Sequence, residues 1–308
     1  MNPAVSFVIP SYNQAAWAGE CFRSLQAQTF TDWEAVIVED RSPDIAELRR
    51  VMDSLADPRF RLLSQERNQG PSAARNRGIR ESRGEWIACV DCDDRIAPGF
   101  LETFLSHLRS HPELWGVFGD FYRFGESESK RVPTRVPNER DTLMAQTLHA
   151  CGILMRRDLI PNAGWYDEKL RAREDSELFI RIFNGGFKVE RLDTALYYYR
   201  IHDSLNRLGR RTEHEFREYI YAKHRERYDR LGLTRRFLGE GYRETALAAL
   251  FDAQRGRAIR FAWKAAWKGR SWRMAQPLLW CLLPVPSAAA VWLRRGWMNL
   301  SRLLRGRA

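Results

Sequence analysis

The sequence predicts an α/β fold, a mostly parallel β-sheet flanked by helices, followed by a helical C-terminal extension. Short apolar runs alternate with amphipathic helical stretches through the first half of the chain, and this alternation is typical of parallel sheets that helices cover on both faces. A polar group follows each of the first four runs. From about Thr212 onward the apolar spacing is helical. We therefore expect one α/β domain over residues 1–212 and a helical region over residues 213–308.

Four apolar runs predict strands of the sheet, because each is short and ends at a polar or turn residue, and the first run is typical of a buried strand. These runs are Val5–Pro10, Glu34–Glu39, Phe60–Ser64 and Glu85–Val90. Apolar residues at helical spacing predict a helix after each strand. The predicted helices are Ala15–Thr29, one that starts at Ser42 and Pro43, Pro71–Ser82 and Pro98–His111.

The middle of the chain contains shorter patterns. Gly125–Asp141 has few apolar residues and predicts a long loop. Strands are predicted at Gly152–Met155 and Ala195–Arg200, and a helix at Asp175–Asn184. Because ligands of parallel α/β sheets bind at the carboxyl ends of the strands, the residues just after each strand are the place to look for a site.

The charge of the chain is concentrated at its C-terminal end. The net charge is +11, from 50 Lys and Arg against 39 Asp and Glu, but no acidic residue follows Asp252. Residues 253–308 carry 12 of the basic residues, which leaves 38 against 39 and a net charge of −1 for residues 1–252. A nearly neutral body with a basic end indicates an anionic partner at that end.

Six of the 11 tryptophans lie in the same C-terminal stretch. Ala275–Leu293 is long enough to span a bilayer, but its three prolines argue against one continuous transmembrane helix. Trp interleaved with Arg favours helices that lie in the interface of an anionic membrane. A subdomain that packs its tryptophans, or a single-stranded nucleic-acid site, would have the same composition. We expect an anionic membrane surface as a partner and no nucleic acid.

The cysteines and the N-terminus bear on the compartment. The five cysteines are scattered and odd in number, which is unlike a disulfide framework. Cys89 and Cys92 have CxxC spacing, but neither a second pair nor a nearby histidine completes a zinc set. The first residues lack the basic start and long apolar run of a secretory signal. We expect a cytoplasmic protein, peripheral at the inner face of the cell membrane.

Three carboxylates follow the fourth predicted strand directly, at Asp91, Asp93 and Asp94. Like charges this close repel one another unless a cation lies among them. Mg²⁺ and Mn²⁺ prefer oxygen ligands and take one or two carboxylates together with substrate phosphates. A solvated acidic turn before the next helix is the structural alternative. The position at the end of a buried strand favours the metal.

Other polar residues occupy equivalent positions along the chain. Asn68–Gly78 joins a small-residue turn to a helix that contains Arg75, and a helix N-terminus favours phosphate. Tyr12 and Asp40 follow the first two strands, where an aromatic ring would stack on a base and a carboxylate would accept its hydrogen bonds. Glu174-Asp175 starts a helix, either as a cap or as a general base. Each of these signals alone is weak, and a purely structural role is the alternative.

Together these residues resemble a known family. Their motifs occur in the order and with the gaps of family 2 glycosyltransferases of the GT-A fold, across about residues 4–205. The motifs are Pro10-Ser11-Tyr12-Asn13, Glu39-Asp40-Arg41-Ser42, Asn68-x-Gly70 to Arg75-Asn76-x-Gly78, Asp91-x-Asp93-Asp94, Glu174-Asp175 and Tyr199-Arg200-x-His202. One departure is that Arg41 stands where the family often has a glycine.

The resemblance implies an inverting transferase that uses a nucleotide-diphospho-sugar, with uracil as the expected base, and Mn²⁺ or Mg²⁺. It implies that a hexosyl or N-acetylhexosaminyl group passes to a lipid-linked or cell-surface glycan. The implied roles are nucleotide or donor binding for Pro10, Tyr12, Asp40, Arg75 and Asp91, metal binding for Asp93 and His202, a sugar contact for Glu174 and general-base catalysis for Asp175.

Two other functions use the same kind of fold. A sugar-phosphate nucleotidyltransferase would carry a glycine-rich loop near its first strand, where this chain has Ser11-Tyr12-Asn13. A non-catalytic nucleotide-sugar-binding protein would have no need of intact acidic residues at Asp91, Asp93 and Asp175. The sequence therefore favours the transferase.

Overall fold

The structure is a computed structural model that describes residues 2–125, 129–144, 152–201 and 211–270. The chain divides into two compact units, Met1–Leu205 and Asn206–Ala308. The strands of the first unit are β1 (Val5–Ser11), β2 (Trp33–Glu39), β3 (Phe60–Ser64), β4 (Trp86–Cys89), β5 (Arg95–Ile96), β6 (Gly116–Gly125), β7 (Lys130–Val132), β8 (Ile153–Arg156) and β9 (Val189–Ile201). Its helices are α1 (Ala15–Gln26), α2 (Ile45–Leu55), α3 (Pro71–Glu81), α4 (Phe100–Ser110), α5 (Glu139–Leu143), α6 (Leu159–Asn162) and α7 (Glu174–Asn184).

The described strands form one sheet in the order β3-β2-β1-β4-β8-β6-β9-β5, with β7 paired to β6. Strands β1 to β4 are parallel, and β6 is parallel to β9. Strand β8 runs antiparallel between β4 and β6, so both of these point the same way. The carboxyl ends of β1, β2, β3, β4 and β9 therefore meet at one edge. The predicted mostly parallel α/β sheet is confirmed.

The core lies on both faces of the sheet because β1 is apolar on both sides. Phe7 and Ile9 point to the face that α1 and α4 cover. Val8 points to the opposite face, where it packs with Ile79 of α3 and Leu178 of α7. Every residue of β1 is buried, as expected of a central strand that contributes side chains to two layers.

Several predicted boundaries were wrong in ways that have local causes. Ser42 does not cap the second helix, which begins at Ile45 after Asp44, because the Ser42 hydroxyl is bonded to Asn13 N and to Asp44 instead. Part of the predicted loop Gly125–Asp141 pairs with β6 as β7. Strand β6 itself was not predicted, since its Gly and polar residues break the apolar run.

The second unit, where the structure describes it, is helical. Its helices are α8 (Glu213–Lys223), α9 (Arg225–Arg230), α10 (Thr234–Phe251) and α11 (Arg255–Gly269). Alanines at the contact let α10 and α11 approach closely, with Ala246, Ala262 and Ala265 buried between them. None of the described helices is both long and apolar enough to cross a membrane. The part of the predicted helical region that follows residue 270 lies outside the described residues.

Candidate active site

The loops after β1 and β2 lie side by side at the carboxyl edge of the sheet. Asn13 N donates to Ser42 Oγ at 2.7 Å, which ties the two loops together. Arg41 takes the left-handed conformation with φ of 58°, at a cost of about 1–2 kcal/mol for a residue that is not glycine. The turn therefore forms with arginine in place of the glycine. Tyr12, 50% exposed, presents its ring at this edge, while Pro10 stays within β1 opposite Val38.

Asp40 accepts hydrogen bonds from the loop between β3 and α3. Its Oδ1 accepts from Gln65 Nε2 and from Gln69 N, both at 2.7 Å, and its Oδ2 accepts from Gly70 N at 2.7 Å. The side chain is buried, at 3% exposure, so these bonds form where water competes little. Gly70 has a φ of 90°, which favours glycine there. Asp40 thus fixes the turn that leads into α3.

Helix α3 is attached both to the sheet and to the segment before α7. A Cβ at Gly78 would lie 2.5 Å from Val8 Cγ1, so only glycine lets the helix pack this close to β1. Ser72 Oγ donates to Leu170 O at 2.9 Å. Asn76 Nδ2 donates to Tyr166 O and to Glu168 Oε1, both at 2.9 Å, and its Oδ1 accepts from Tyr166 N. Buried bonds of this kind hold the approach to α7 rigidly.

The three carboxylates after β4 form a compact acidic triad. Asp91, Asp93 and Asp94 each offer an oxygen, and these atoms lie within 4.8 Å of one another. Asp93 and Asp94 are buried, while the Asp91 side chain is 26% exposed. A set of hard oxygen donors with net negative charge fits Mg²⁺ or Mn²⁺. Among the described residues this is the group whose donors could hold a metal ion.

Strand β9 holds the triad from the other side. Tyr197 Oη donates to Asp94 Oδ2 at 2.5 Å, and Arg200 N donates to Asp94 Oδ1 at 2.7 Å. Arg200 Nε donates to Asp93 O at 2.6 Å, and its guanidinium pairs with Glu20 of α1. Burial, together with Asp93 and Asp91, raises the pKa of Asp94 well above its ordinary value. Asp94 is thus anchored inside the protein, and Asp91 lies at the accessible end.

Arg75 of α3 connects the triad to α7. Its Nη2 donates to Asp91 Oδ1 at 2.8 Å, and its Nη1 donates to Glu174 Oε1 at 2.7 Å. The same Nη1 lies 3.8 Å from Asp175 Oδ1. The Arg75 side chain is only 4% exposed, so the guanidinium is a buried cation shared by three carboxylates. Glu174 and Asp175 are the first two residues of α7, where the helix dipole also favours negative charge.

The model for the family "Glycosyl transferase family 2" matches residues 6–162 of the chain. The chain belongs to this family. It is therefore a nucleotide-sugar-dependent glycosyltransferase, and its sheet with flanking helices is the GT-A fold. The matched segment contains all but the first residue of β1, the strands β2 to β4 and the acidic triad.

Two relatives show how far the similarity extends. WcaA of Escherichia coli K12, assigned as a colanic acid biosynthesis glycosyl transferase, is 27% identical over 245 residues, which cover 74% of this chain and 84% of WcaA. EpsH of Bacillus subtilis 168, assigned as a glycosyltransferase, is 44% identical over 218 residues. That match covers 65% of this chain and 62% of EpsH, so the chain spans less than two thirds of that relative.

Solved structures have the same fold. The crystal structure of Staphylococcus aureus TarS 1–349 in complex with UDP-GlcNAc has a TM-score of 0.60 at 19% identity, over 89% of this chain and 92% of that one. The mannosyltransferase PcManGT of Pyrobaculum calidifontis, in complex with GDP-Man and Mn²⁺, has a TM-score of 0.56 at 18% identity, over 97% of this chain and 84% of that one.

Within the glycosyltransferase fold, several of the predicted site residues lie together in two groups. Tyr12 and Asp40 lie at adjacent strand ends, and Arg75 joins Asp91 to Glu174 and Asp175. His202 lies outside the described residues. Sequence reasoning assigned no role to Tyr197, Arg200 and Glu20, although Arg200 stands within a recognised motif. The contacts that these residues make cross distant parts of the chain and leave no local pattern.

The cysteine pair takes no visible part in the site. Cys89 and Cys92 are buried and free. Burial raises the pKa of both thiols to about 12, so they stay protonated and unreactive at neutral pH. Cys89 is the last residue of β4, and Cys92 lies in the turn that follows, which explains their CxxC spacing.

Proposed function

We propose that the protein transfers a sugar from a uridine diphosphate sugar to a hydroxyl group of a glycan or lipid-linked acceptor, with inversion at the anomeric carbon. The observation that carries this proposal is the position of Arg75, whose Nη2 lies 2.8 Å from Asp91 and whose Nη1 lies 3.8 Å from Asp175. One buried guanidinium thus brings the acidic triad and the start of α7 into one site. A departing diphosphate and an attacking hydroxyl need groups at this proximity.

Asp93 would hold Mn²⁺ or Mg²⁺ together with, on the sequence motif, His202. The oxygen donors of the triad suit such an ion. When bound, the ion acts as a Lewis acid for the diphosphate, worth several kcal/mol of charge stabilisation in the transition state. Asp94 would keep the loop in place, because both of its oxygens accept bonds from β9.

The nucleotide would bind across the ends of β1 and β2. The exposed ring of Tyr12 offers a stacking surface for uracil. Asp40 would orient the base through its remaining acceptor capacity and through the turn that it holds with Gly70. Pro10 shapes the start of this edge, and Asp91 would accept from the ribose. Arg75 would support the donor indirectly, by fixing Asp91.

Asp175 would act as the general base. It would take the proton of the acceptor hydroxyl while the hydroxyl oxygen bonds to the anomeric carbon and the bond from that carbon to the diphosphate breaks. Arg75 and the N-terminus of α7 favour the ionised carboxylate that this step requires. Glu174, bonded to Arg75 at 2.7 Å, would position the base and contact a sugar. A single displacement of this kind inverts the configuration.

The acceptor class is proposed from the relatives. WcaA is assigned to colanic acid biosynthesis, which supports a role in polysaccharide assembly for this chain. TarS is complexed with UDP-GlcNAc and PcManGT with GDP-Man, so related folds accept both uridine and guanosine donors. We favour uridine and a hexosyl or N-acetylhexosaminyl group. The basic, Trp-rich C-terminal stretch supports a cytoplasmic protein held peripherally at the inner face of the cell membrane.

Substitution of the base tests the mechanism. Asp175→Asn should keep nucleotide affinity, since the amide is isosteric, while turnover falls about 10²- to 10⁴-fold, the usual contribution of a general base. Asp193→Asn is the matched control, because this aspartate is 81% exposed in the same unit and pairs with Arg131 and Arg191, which have no assigned role in the site. Turnover is measured as nucleoside diphosphate release from a panel of donors with Mn²⁺. Equal turnover in both variants would remove Asp175 from the base role.

A second measurement separates the alternatives. Asp93→Ala should abolish the part of nucleotide affinity that depends on Mn²⁺, measured by calorimetry with and without the ion. A nucleotidyltransferase would release pyrophosphate where the transferase releases a nucleoside diphosphate, and a binding protein would release neither. Retention of the donor's anomeric configuration in the product would contradict the single displacement.

A further inference from the structure

Helix α11 has two faces of opposite character. Phe261, Ala262 and Ala265 lie on the buried face and pack against α10. On the opposite face Trp263 is 62% exposed and Trp267 is 76% exposed. These indoles are four residues apart, so they lie on the same side of the helix one turn from each other. Two large aromatic side chains are thus turned away from the core of their own unit.

Basic residues surround the two indoles. Arg260 and Lys264 lie three or four residues from one or the other tryptophan, which places them on the same side of the helix, and Arg270 follows directly after the last helical residue. All three are exposed. Residues 255–270 contain six Lys and Arg and no acidic residue. This side of α11 therefore combines exposed aromatic surface with a net positive charge from the residues of the helix itself.

The chemistry of this face fits the surface of an anionic bilayer. Indole rings are favoured at membrane interfaces because their body is apolar and their N–H is polar. Lys and Arg are attracted to anionic headgroups. The helix has 15 residues and is about 22 Å long at 1.5 Å per residue, which is shorter than the roughly 30 Å hydrocarbon core. A helix that lies in the plane of the interface buries both indoles in the bilayer surface.

The same residues fit single-stranded nucleic acid less well. Proteins that bind it combine a basic groove with stacking platforms inside the groove. Here the two indoles lie on the exposed side of a single helix, opposite the side that packs against α10. An exposed aromatic and basic helix face favours lipid.

We propose that Arg260, Trp263, Lys264, Trp267 and Arg270, called here the Trp–Arg face, dock onto an anionic phospholipid bilayer. The inference rests on the proposed peripheral membrane association and assigns it to defined residues of α11. Four further tryptophans lie beyond residue 270, outside the described residues. The proposal therefore requires that the Trp–Arg face contributes binding that this remaining stretch cannot replace.

Vesicle binding by the full-length protein tests the proposal. Flotation is measured with vesicles of equimolar phosphatidylcholine and phosphatidylglycerol, and with phosphatidylcholine alone. Trp263→Ala with Trp267→Ala should weaken binding to the anionic vesicles about tenfold or more, since membrane affinity scales with buried apolar area. Val136→Ala, at a residue that is 51% exposed in the first unit, is the apolar control and should bind as the wild type does.

The charges are tested separately. Arg260→Gln with Lys264→Gln should weaken binding to anionic vesicles by about 25-fold at low salt, from about fivefold per cation. Arg235→Gln with Arg236→Gln is the matched control, because both arginines are exposed on α10 and the net charge changes equally. Circular dichroism and donor hydrolysis should stay at wild-type values in all these variants, since none of the residues lies in the active site.

The outcomes separate the two proposals. If the wild type floats with neither vesicle, the proposed membrane association fails, and the docking of the Trp–Arg face fails with it. If the wild type floats and the double Trp variant floats equally well, the association stands and the Trp–Arg face is rejected. If these substitutions instead weaken binding to a fluorescent single-stranded oligonucleotide and leave flotation unchanged, the face is a nucleic-acid site.

Discussion

Replacement of Arg75 by lysine should separate positioning from charge in the active site. The guanidinium donates through two different nitrogens, to Asp91 Oδ1 at 2.8 Å and to Glu174 Oε1 at 2.7 Å. A lysine ammonium is a single point on a flexible stem and lacks the planar fork that spans two carboxylates. Arg75→Lys therefore keeps the positive charge but loses one of the two connections.

The structure sets the size of the effect. A hydrogen bond to a charged group contributes about 1.5–3 kcal/mol. Asp91 is 26% exposed and can regain water, whereas Glu174 is 11% exposed and cannot do so easily. We therefore expect the lysine to keep Glu174, and the free energy of unfolding to fall by about 1.5–2 kcal/mol. Arg75→Met, which leaves both carboxylates without their cation, should cost about 3–5 kcal/mol.

Unfolding in urea and steady-state kinetics provide the assay. Because small displacements of reacting groups cost up to about 10²-fold in rate, kcat of Arg75→Lys should fall at least tenfold, and KM for the donor should rise, since Asp91 loses the bond that fixes it. Arg77→Lys is the control on the same helix, because its guanidinium donates to Ser64 O at 2.7 Å, outside the acidic triad and α7. If both lysine variants unfold and turn over alike, Arg75 does not connect the triad to α7 in the working enzyme.

Three more perturbations have defined outcomes. Tyr197→Phe removes the 2.5 Å hydrogen bond to Asp94. Calorimetry should show that Mn²⁺-dependent nucleotide binding weakens about 10- to 100-fold, as it does when metal sites lose their outer-shell partners. Unchanged affinity would show that this hydrogen bond does not position Asp94 for metal binding. Gly78→Ala forces a methyl to within 2.5 Å of a β1 side chain and should cost about 1–3 kcal/mol in urea unfolding. Hydrogen bonding to Arg59 lowers the pKa of Asp57 from 3.8 to about 2, so its stabilisation is present above pH 3.8 and is lost as the pH falls towards 2. Asp57→Asn should therefore be about 1–2 kcal/mol less stable than the wild type at pH 7, and a difference that persists undiminished at pH 2 would contradict this.

The strands of the sheet could be predicted from sequence because their signal is local. Phe60–Ser64 was predicted with both ends correct, and Val5–Pro10 is one residue shorter than β1. Strand β1 is buried along its whole length and is visible as a short apolar run, and β3, a partly buried edge strand, is still mostly apolar. Strand β6 has no such run, because its place depends on pairing with β8 and β9. That pairing is made through the backbone and needs no particular side chains.

The candidate site likewise contains a cluster that is visible in the sequence and contacts that are visible only in the structure. The acidic triad lies within four consecutive residues, so its proximity is visible in the sequence. The bond between Arg75 and Glu174 joins residues 99 apart, and the bond between Tyr197 and Asp94 joins residues 103 apart. Such contacts depend on how elements cross in the folded sheet. The sequence therefore predicted candidate metal ligands and a candidate base, and the structure added the contacts that connect the described ones.

The bonds from α3 to the segment before α7 limit how this enzyme can be recombined with its relatives. Ser72 and Asn76 hold the backbone at Leu170 and Tyr166 across about a hundred residues of sequence. A chimera with a crossover anywhere between these points would pair a helix from one parent with a loop from the other. Exchanges meant to alter acceptor choice should therefore carry both segments from the same parent, or spare both.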